Sequence, residues 1–143
     1  FNKNTSYALG YRYATNWGEE LEISNNHRFY TDLNYKNKFV RRLSYSIRNR
    51  WQNQGGMDDY KMTLRQKLSV AYNIRKTKLN PNIATEYFFN LQDGINKLRS
   101  TLAVSYPITK NLDFNLAYRI QQEFYVDNSE TLFIFEGKFS YDL

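Results

Sequence analysis

The one histidine, His27, is the natural first candidate for chemistry, because imidazole titrates near neutrality and serves as a general base. A serine two residues away on the same strand face would suit it to interfacial lipid hydrolysis. The residues at that spacing are Asn25 and Phe29, so imidazole has no hydroxyl to activate. His27 is therefore expected to face lipid or the outer interface, with no serine in hydrogen-bond reach. The absence of cysteine excludes a thiolate nucleophile and a thiolate metal site, and one histidine excludes a multi-histidine centre. No glycine-rich phosphate loop, paired-carboxylate site or metal-ligand spacing is present. No catalytic residue, metal or cofactor is expected.

The second chemically capable set is basic. Arg12, Arg28, Arg42, Arg48, Arg50, Arg65, Arg99 and Arg119 fall at alternate positions that share a face with Asp32, Glu86, Asp113, Glu123 and Glu136. Such a face either lines an anion-preferring pore or forms a paired-charge core. The net charge of +6 also raises nucleic acid as a partner. The arginines point to one inner face and are not interleaved with aromatics on an exposed surface, so nucleic-acid binding is not expected. Lys3, Lys36, Lys38, Lys76, Lys78 and Lys110 sit in or beside short connections, where they suit anionic lipid head groups.

The elements that hold these residues are strands. Period-two alternation recurs over 7–14, 23–35, 39–51, 60–74, 82–91, 97–108, 112–124 and 133–143. Leu112, Phe114, Leu116, Tyr118 and Ile120, for example, alternate with Asp113, Asn115, Ala117, Arg119 and Gln121. Tight basic turns are expected at 36–38, 75–78 and 109–111, and looser polar loops near 16–20, 52–59, 92–96 and 127–130. Short turns at one end and longer loops at the other describe an antiparallel up-and-down meander. No domain boundary interrupts it, so 1–143 reads as a single domain.

Alternation fits a soluble barrel with an apolar cavity or a membrane barrel with an apolar outside. Aromatics are 17% of the chain and nearly all lie on the apolar face, too many to pack inside eight strands. The polar face combines charges of both signs with small residues such as Ala8, Gly10, Ala84 and Ala103, as a filled lumen requires. His27, Asn49, Gln66 and Gln122 are expected at one height on the apolar face, bounding an apolar band of about 8–10 residues, roughly 20–25 Å tall. The reading is all-β: a transmembrane antiparallel up-and-down β-barrel of eight strands in a bacterial outer membrane, in contact with its lipid or lipopolysaccharide. The short turns and the carboxyl terminus are then periplasmic. Phe1, Asn2, Lys3 and Asn4 resemble the basic turns, so at least one hairpin is expected before Phe1, giving ten or more strands.

Turn lengths fix hairpin register. A three-residue turn at 36–38 sets Tyr35 against Phe39 and Asp32 against Arg42. A four-residue turn at 75–78 sets Ile74 against Leu79, Val70 against Ile83 and Lys67 against Glu86. A three-residue turn at 109–111 sets Ile108 against Leu112, Val104 against Leu116 and Lys97 against Glu123. The expectation is a lumen cross-linked by these charge pairs and largely blocked.

The stretches LSYSIRNRWQ (43–52), LRQKLSVAYNIRKTKLNPNIATEYFFNL (64–91), LRSTLAVSYPITKNLDFNLAYRIQQE (98–123) and the closing GKFSYDL resemble a Bacteroidota family of outer-membrane β-barrels of unknown function. The resemblance implies a barrel and carries no catalytic residue. The function expected is a non-enzymatic structural or accessory barrel, as a subunit of a larger outer-membrane complex. The alternatives are a narrow anion-preferring pore or small-solute channel and, less favoured, an interfacial lipid hydrolase.

Overall fold

The computed structural model describes residues 3–17, 23–55, 60–91, 94–125 and 129–141. The strands are β1 (Thr5–Trp17), β2 (Ile23–Val40), β3 (Leu43–Gly55), β4 (Tyr60–Tyr72), β5 (Asn80–Asn90), β6 (Gly94–Pro107), β7 (Leu112–Glu123) and β8 (Thr131–Tyr141). They form one antiparallel sheet in the order β1 to β8, curled into a half-barrel. Among the described residues β1 pairs with β2 alone and β8 with β7 alone, so the sheet has two free edges.

Two of the expected turns set the registers read from the sequence. At 75–78 the Ile74 amide donates to the Leu79 carbonyl, and Lys76 takes a left-handed φ of 61°. Val70 then lies opposite Ile83 and Lys67 opposite Glu86. At 109–111 the Ile108 amide donates to the Leu112 carbonyl, while the Thr109 hydroxyl accepts from the Asn111 and Leu112 amides. Val104 faces Leu116 and Lys97 faces Glu123.

The third expected turn is not one. Lys36, Asn37 and Lys38 remain in β2 and pair with Ser46, Tyr45 and Ser44. The hairpin closes later, at Arg41 and Arg42, with Val40 against Leu43 and a bulge between Lys38 and Val40. The bulge takes up the odd residue, so the faces of β3 are as expected while its register is not. Tyr35 lies opposite Ile47 rather than Phe39, and Asp32 opposite Arg50 rather than Arg42. The strands also run further into the expected loops: Gln52 to Gly55 belong to β3, and Gly94 to Asn96 to β6. The remaining parts of the expected loops, at 18–20, 56–59, 92–93 and 127–128, lie outside the described residues.

Curling drives side chains together on the concave side and apart on the convex side, so burial distinguishes the two faces. Glu86 is 4% exposed and Asp32 6%, whereas Leu9 is 72% and Phe135 73%. The polar face is therefore the concave one. Its small buried residues, Ala84, Ala103 and Ala117, leave room for long arginines to lie across the sheet. No Asp, Glu, Lys or Arg occupies the convex face of the described strands. On that face Leu33, Asn49, Gln66, Tyr87, Leu98 and Gln122 form one rung. Asn49 and Gln66 satisfy each other through a 3.1 Å hydrogen bond. His27 does not share the rung. It pairs with Gly55, nearer the loop end, because β2 continues past the turn from which its height was counted.

Candidate functional site

The concave face is organised around one carboxylate. Glu86, on β5, lies between Lys67 of β4 and Arg99 of β6 in the ladder. Its Oε1 accepts from Arg48 Nη2 at 2.7 Å and from Arg65 Nη2 at 2.8 Å, and Arg99 Nη1 stands 3.7 Å from Oε2. Arg48 reaches it from β3, across the whole of β4. Phe88, two residues along β5, presents its ring to Arg65 at 4.5 Å and to Arg99 at 5.0 Å. The ring flanks both guanidiniums in a cation–π arrangement.

Lys67 forms no ion pair among the described residues, although it stands opposite Glu86 as expected. Planar guanidiniums, with several donors each, occupy the carboxylate from three sides. The expected Lys67–Glu86 bridge is thus replaced by an arginine cluster.

Two further pairs flank this hub. Arg50 donates Nε to Asp32 Oδ1 and Nη2 to Asp32 Oδ2, both at 2.6 Å, the forked geometry that matches a carboxylate edge. Tyr30 lies beneath the same guanidinium, 4.1 Å from ring centroid to Cζ. This pair takes the place of the expected Asp32–Arg42 pair, because Arg42 sits in the β2–β3 turn. Arg119 binds Glu136 of β8 through two hydrogen bonds. At the loop end Lys97 Nζ stands 2.5 Å from Glu123 Oε1, as its register requires. Asp113 lies opposite Pro107 and Ser140 and has no ion pair among the described residues.

Arg12 and Arg28 differ from the other concave arginines. They stand directly opposite each other on β1 and β2, and no carboxylate pairs with either among the described residues. Arg28 Nε donates to Gln54 Oε1 at 2.7 Å. Gln54 Oε1 also accepts from Gln52 Nε2 at 2.9 Å, and Gln52 Oε1 accepts from Arg65 Nη1 at 3.1 Å. A chain of hydrogen bonds therefore joins Glu86 to Arg28. A cleft of about 760 Å³ opens above the hub, lined by Arg28, Lys61, Arg65, Lys97, Arg99 and the amides of Gln52, Gln54 and Gln121, among others.

His27 lies on the convex face. Its Nδ1 is 2.8 Å from the Tyr11 hydroxyl, and its ring packs beside Tyr13 at 5.1 Å. No serine bonds to it among the described residues, and no group of three or more His, Cys, Asp or Glu among them could hold a metal ion.

Several important residues were not singled out from the sequence. Tyr30 and Phe88 break the expected division of roles, as aromatics on the charged face, and Gln52 and Gln54 lie where a loop was expected. Two aromatics at polar-face positions beside arginines are a readable sign of cation–π support. The amide chain needed the correct β2–β3 register, which the misplaced turn hid.

No curated protein and no solved structure matches the chain. A family described as "Protein of unknown function (DUF2490)" matches residues 1–131, from the amino terminus through β7 to the first residue of β8. The half-barrel with its arginine-centred concave face thus belongs to the DUF2490 family of proteins of unknown function.

Proposed function

We propose that this sheet is part of the wall of an outer-membrane β-barrel, with a non-enzymatic structural or accessory role in a larger envelope assembly. The observation that carries the reading is the convex face. It holds no formal charge on any described strand, and its aromatic and aliphatic side chains stand exposed from β1 to β8. Water disfavours such a surface at about 25 cal/mol per Å², and a hydrocarbon environment removes that cost. The inverse arrangement, charges gathered in the concavity, is the one expected of a lumen. Its belt of ion pairs holds neighbouring strands together and obstructs passage.

A narrow anion-preferring pore is the second reading, favoured by the excess of arginine and lysine on the concave face. The test is expression of the full protein in a Gram-negative host, followed by fractionation and planar-bilayer recording. The wall reading expects recovery in the outer membrane after an alkaline carbonate wash, with little conductance. Release by that wash would overturn membrane insertion. A steady anion-selective current would replace the occluded lumen with the pore.

A further inference from the structure

We propose that the loop end of the concave face is a binding site for a phosphate-type oxyanion, gripped by Arg12 and Arg28. The inference goes beyond the wall reading and rests on the concave face alone, so it holds whether or not the convex face meets lipid.

Two guanidiniums directly opposite in a ladder repel each other. Elsewhere on this face arginines escape that penalty by taking a carboxylate: Arg50 takes Asp32, Arg119 takes Glu136, and Arg48, Arg65 and Arg99 gather on Glu86. Arg12 and Arg28 have none among the described residues, yet Arg28 is held in place. Its Nε is committed to Gln54, whose oxygen is shared with Gln52, which is fixed in turn by Arg65. Among the described residues that anchoring leaves the two Nη groups of Arg28 without a partner. A smaller cleft of about 170 Å³, lined by Arg12, Ala14, Asn26, Arg28 and Gln54, lies at this point and shares Asn26, Arg28 and Gln54 with the larger one. Ala14 contributes only a methyl group to the β1 wall of this cleft, which leaves room for an anion beside both arginines.

The chemistry selects the ligand. Two forked donors, that of Arg28 anchored by Gln54, match a tetrahedral, multiply charged oxyanion whose oxygens each accept from a guanidinium edge. A doubly charged phosphate offsets both arginines. The surrounding amides and Lys61 supply further donors for a group carried on that phosphate. The bound phosphate belongs to a small soluble ester or to a lipid head group reaching over the rim, and both present the same end to the arginines.

The test uses the full chain in detergent micelles at low ionic strength, with binding followed by calorimetry and phosphorus NMR. The probes are inorganic phosphate, methyl phosphate and a soluble short-chain phosphatidic acid. Saturable binding is expected, and Arg12→Gln and Arg28→Gln should each weaken it about tenfold or more, as loss of a charge-assisted hydrogen bond implies. Lys138→Gln removes the same charge from β8, away from the site, and should leave affinity within about twofold. Tighter binding of methyl phosphate than of phosphatidic acid identifies a soluble ester, and the reverse order a lipid. Absence of saturable binding, or an equal loss in all three variants, would overturn the site and leave only diffuse attraction to a basic face.

Discussion

The Glu86 hub and the Arg12–Arg28 pair lie on the same face of the same sheet and are joined by hydrogen bonds through Gln52 and Gln54; both carry excess positive charge, but among the described residues only the hub is built round a carboxylate. At the hub one carboxylate, 4% exposed, is shared by three arginines from three strands. At the pair, two arginines stand opposite each other with no carboxylate bound to either among the described residues. The hub is closed round its shared carboxylate, although cations outnumber it, and it ties β3, β4, β5 and β6 together. The pair is open, which gives stability little and leaves donors for something else. The difference separates the part of the concave face that builds the wall from the part that can bind.

The largest expected effect comes from opening the hub. Glu86→Gln leaves Arg48, Arg65 and Arg99 crowded round a buried position without a counter-charge. Removing one member of a buried ion cluster typically costs about 3–5 kcal/mol. Denaturant unfolding in detergent, followed by tryptophan fluorescence, should show a loss of that order. A loss below about 1 kcal/mol would mean that water screens the hub, and that it closes nothing.

Gly10→Ala tests the space beside the pair. A Cβ on Gly10 would come within 2.1 Å of Tyr30 Cζ, on the ring that underlies Arg50. The ring must move off the Asp32-bound guanidinium, and such overpacking costs about 1–3 kcal/mol. An unchanged unfolding midpoint would show that Tyr30 shifts freely and that Arg50 does not depend on it.

Most of the architecture was legible in the sequence, because period-two alternation reports strand and face directly. Leu112 to Phe124 gives both faces of β7 without ambiguity. Two registers were legible as well, since Arg75 to Lys78 and Thr109 to Asn111 interrupt the alternation. Lys36 to Lys38 only resembles an interruption. The run is polar, but its lysines stay on the concave face, and the bulge near Phe39 that lets β2 continue has no glycine or proline to mark it. That single slip moved Asp32 from Arg50 to Arg42. The hub was legible only in part: register puts Lys67 beside Glu86, but which cation wins depends on how far Arg48 reaches across β4, and spacing along one strand does not encode that.

Lys97 and Glu123 offer a milder contrast with the hub. Lys97 is 37% exposed at its side chain, so water competes for the pair. A double-mutant cycle with Lys97→Gln and Glu123→Gln should give a coupling of about 0.2–1 kcal/mol, well below any pair drawn from the hub. A coupling as large as the hub's would mean that the loop end is as dry as the belt, and would erase the division between wall and cleft.

The smallest effect has the opposite sign. Arg12→Gln removes one of two like charges that face each other across β1 and β2, and opposed like charges destabilise a ladder by a few tenths of a kcal/mol. In phosphate-free buffer at low salt the variant should unfold at an equal or slightly higher denaturant concentration, with a gain of at most about 0.5 kcal/mol. Added sodium chloride should shrink the gain, because screening relieves the same repulsion in the unaltered protein. Added phosphate should reverse it, because only the unaltered protein has both arginines to bind the anion, and ligand binding stabilises the folded state. A destabilisation of more than about 1 kcal/mol without phosphate would instead mean that Arg12 takes a carboxylate, as the other arginines do. The pair would then be a second closed unit like the hub.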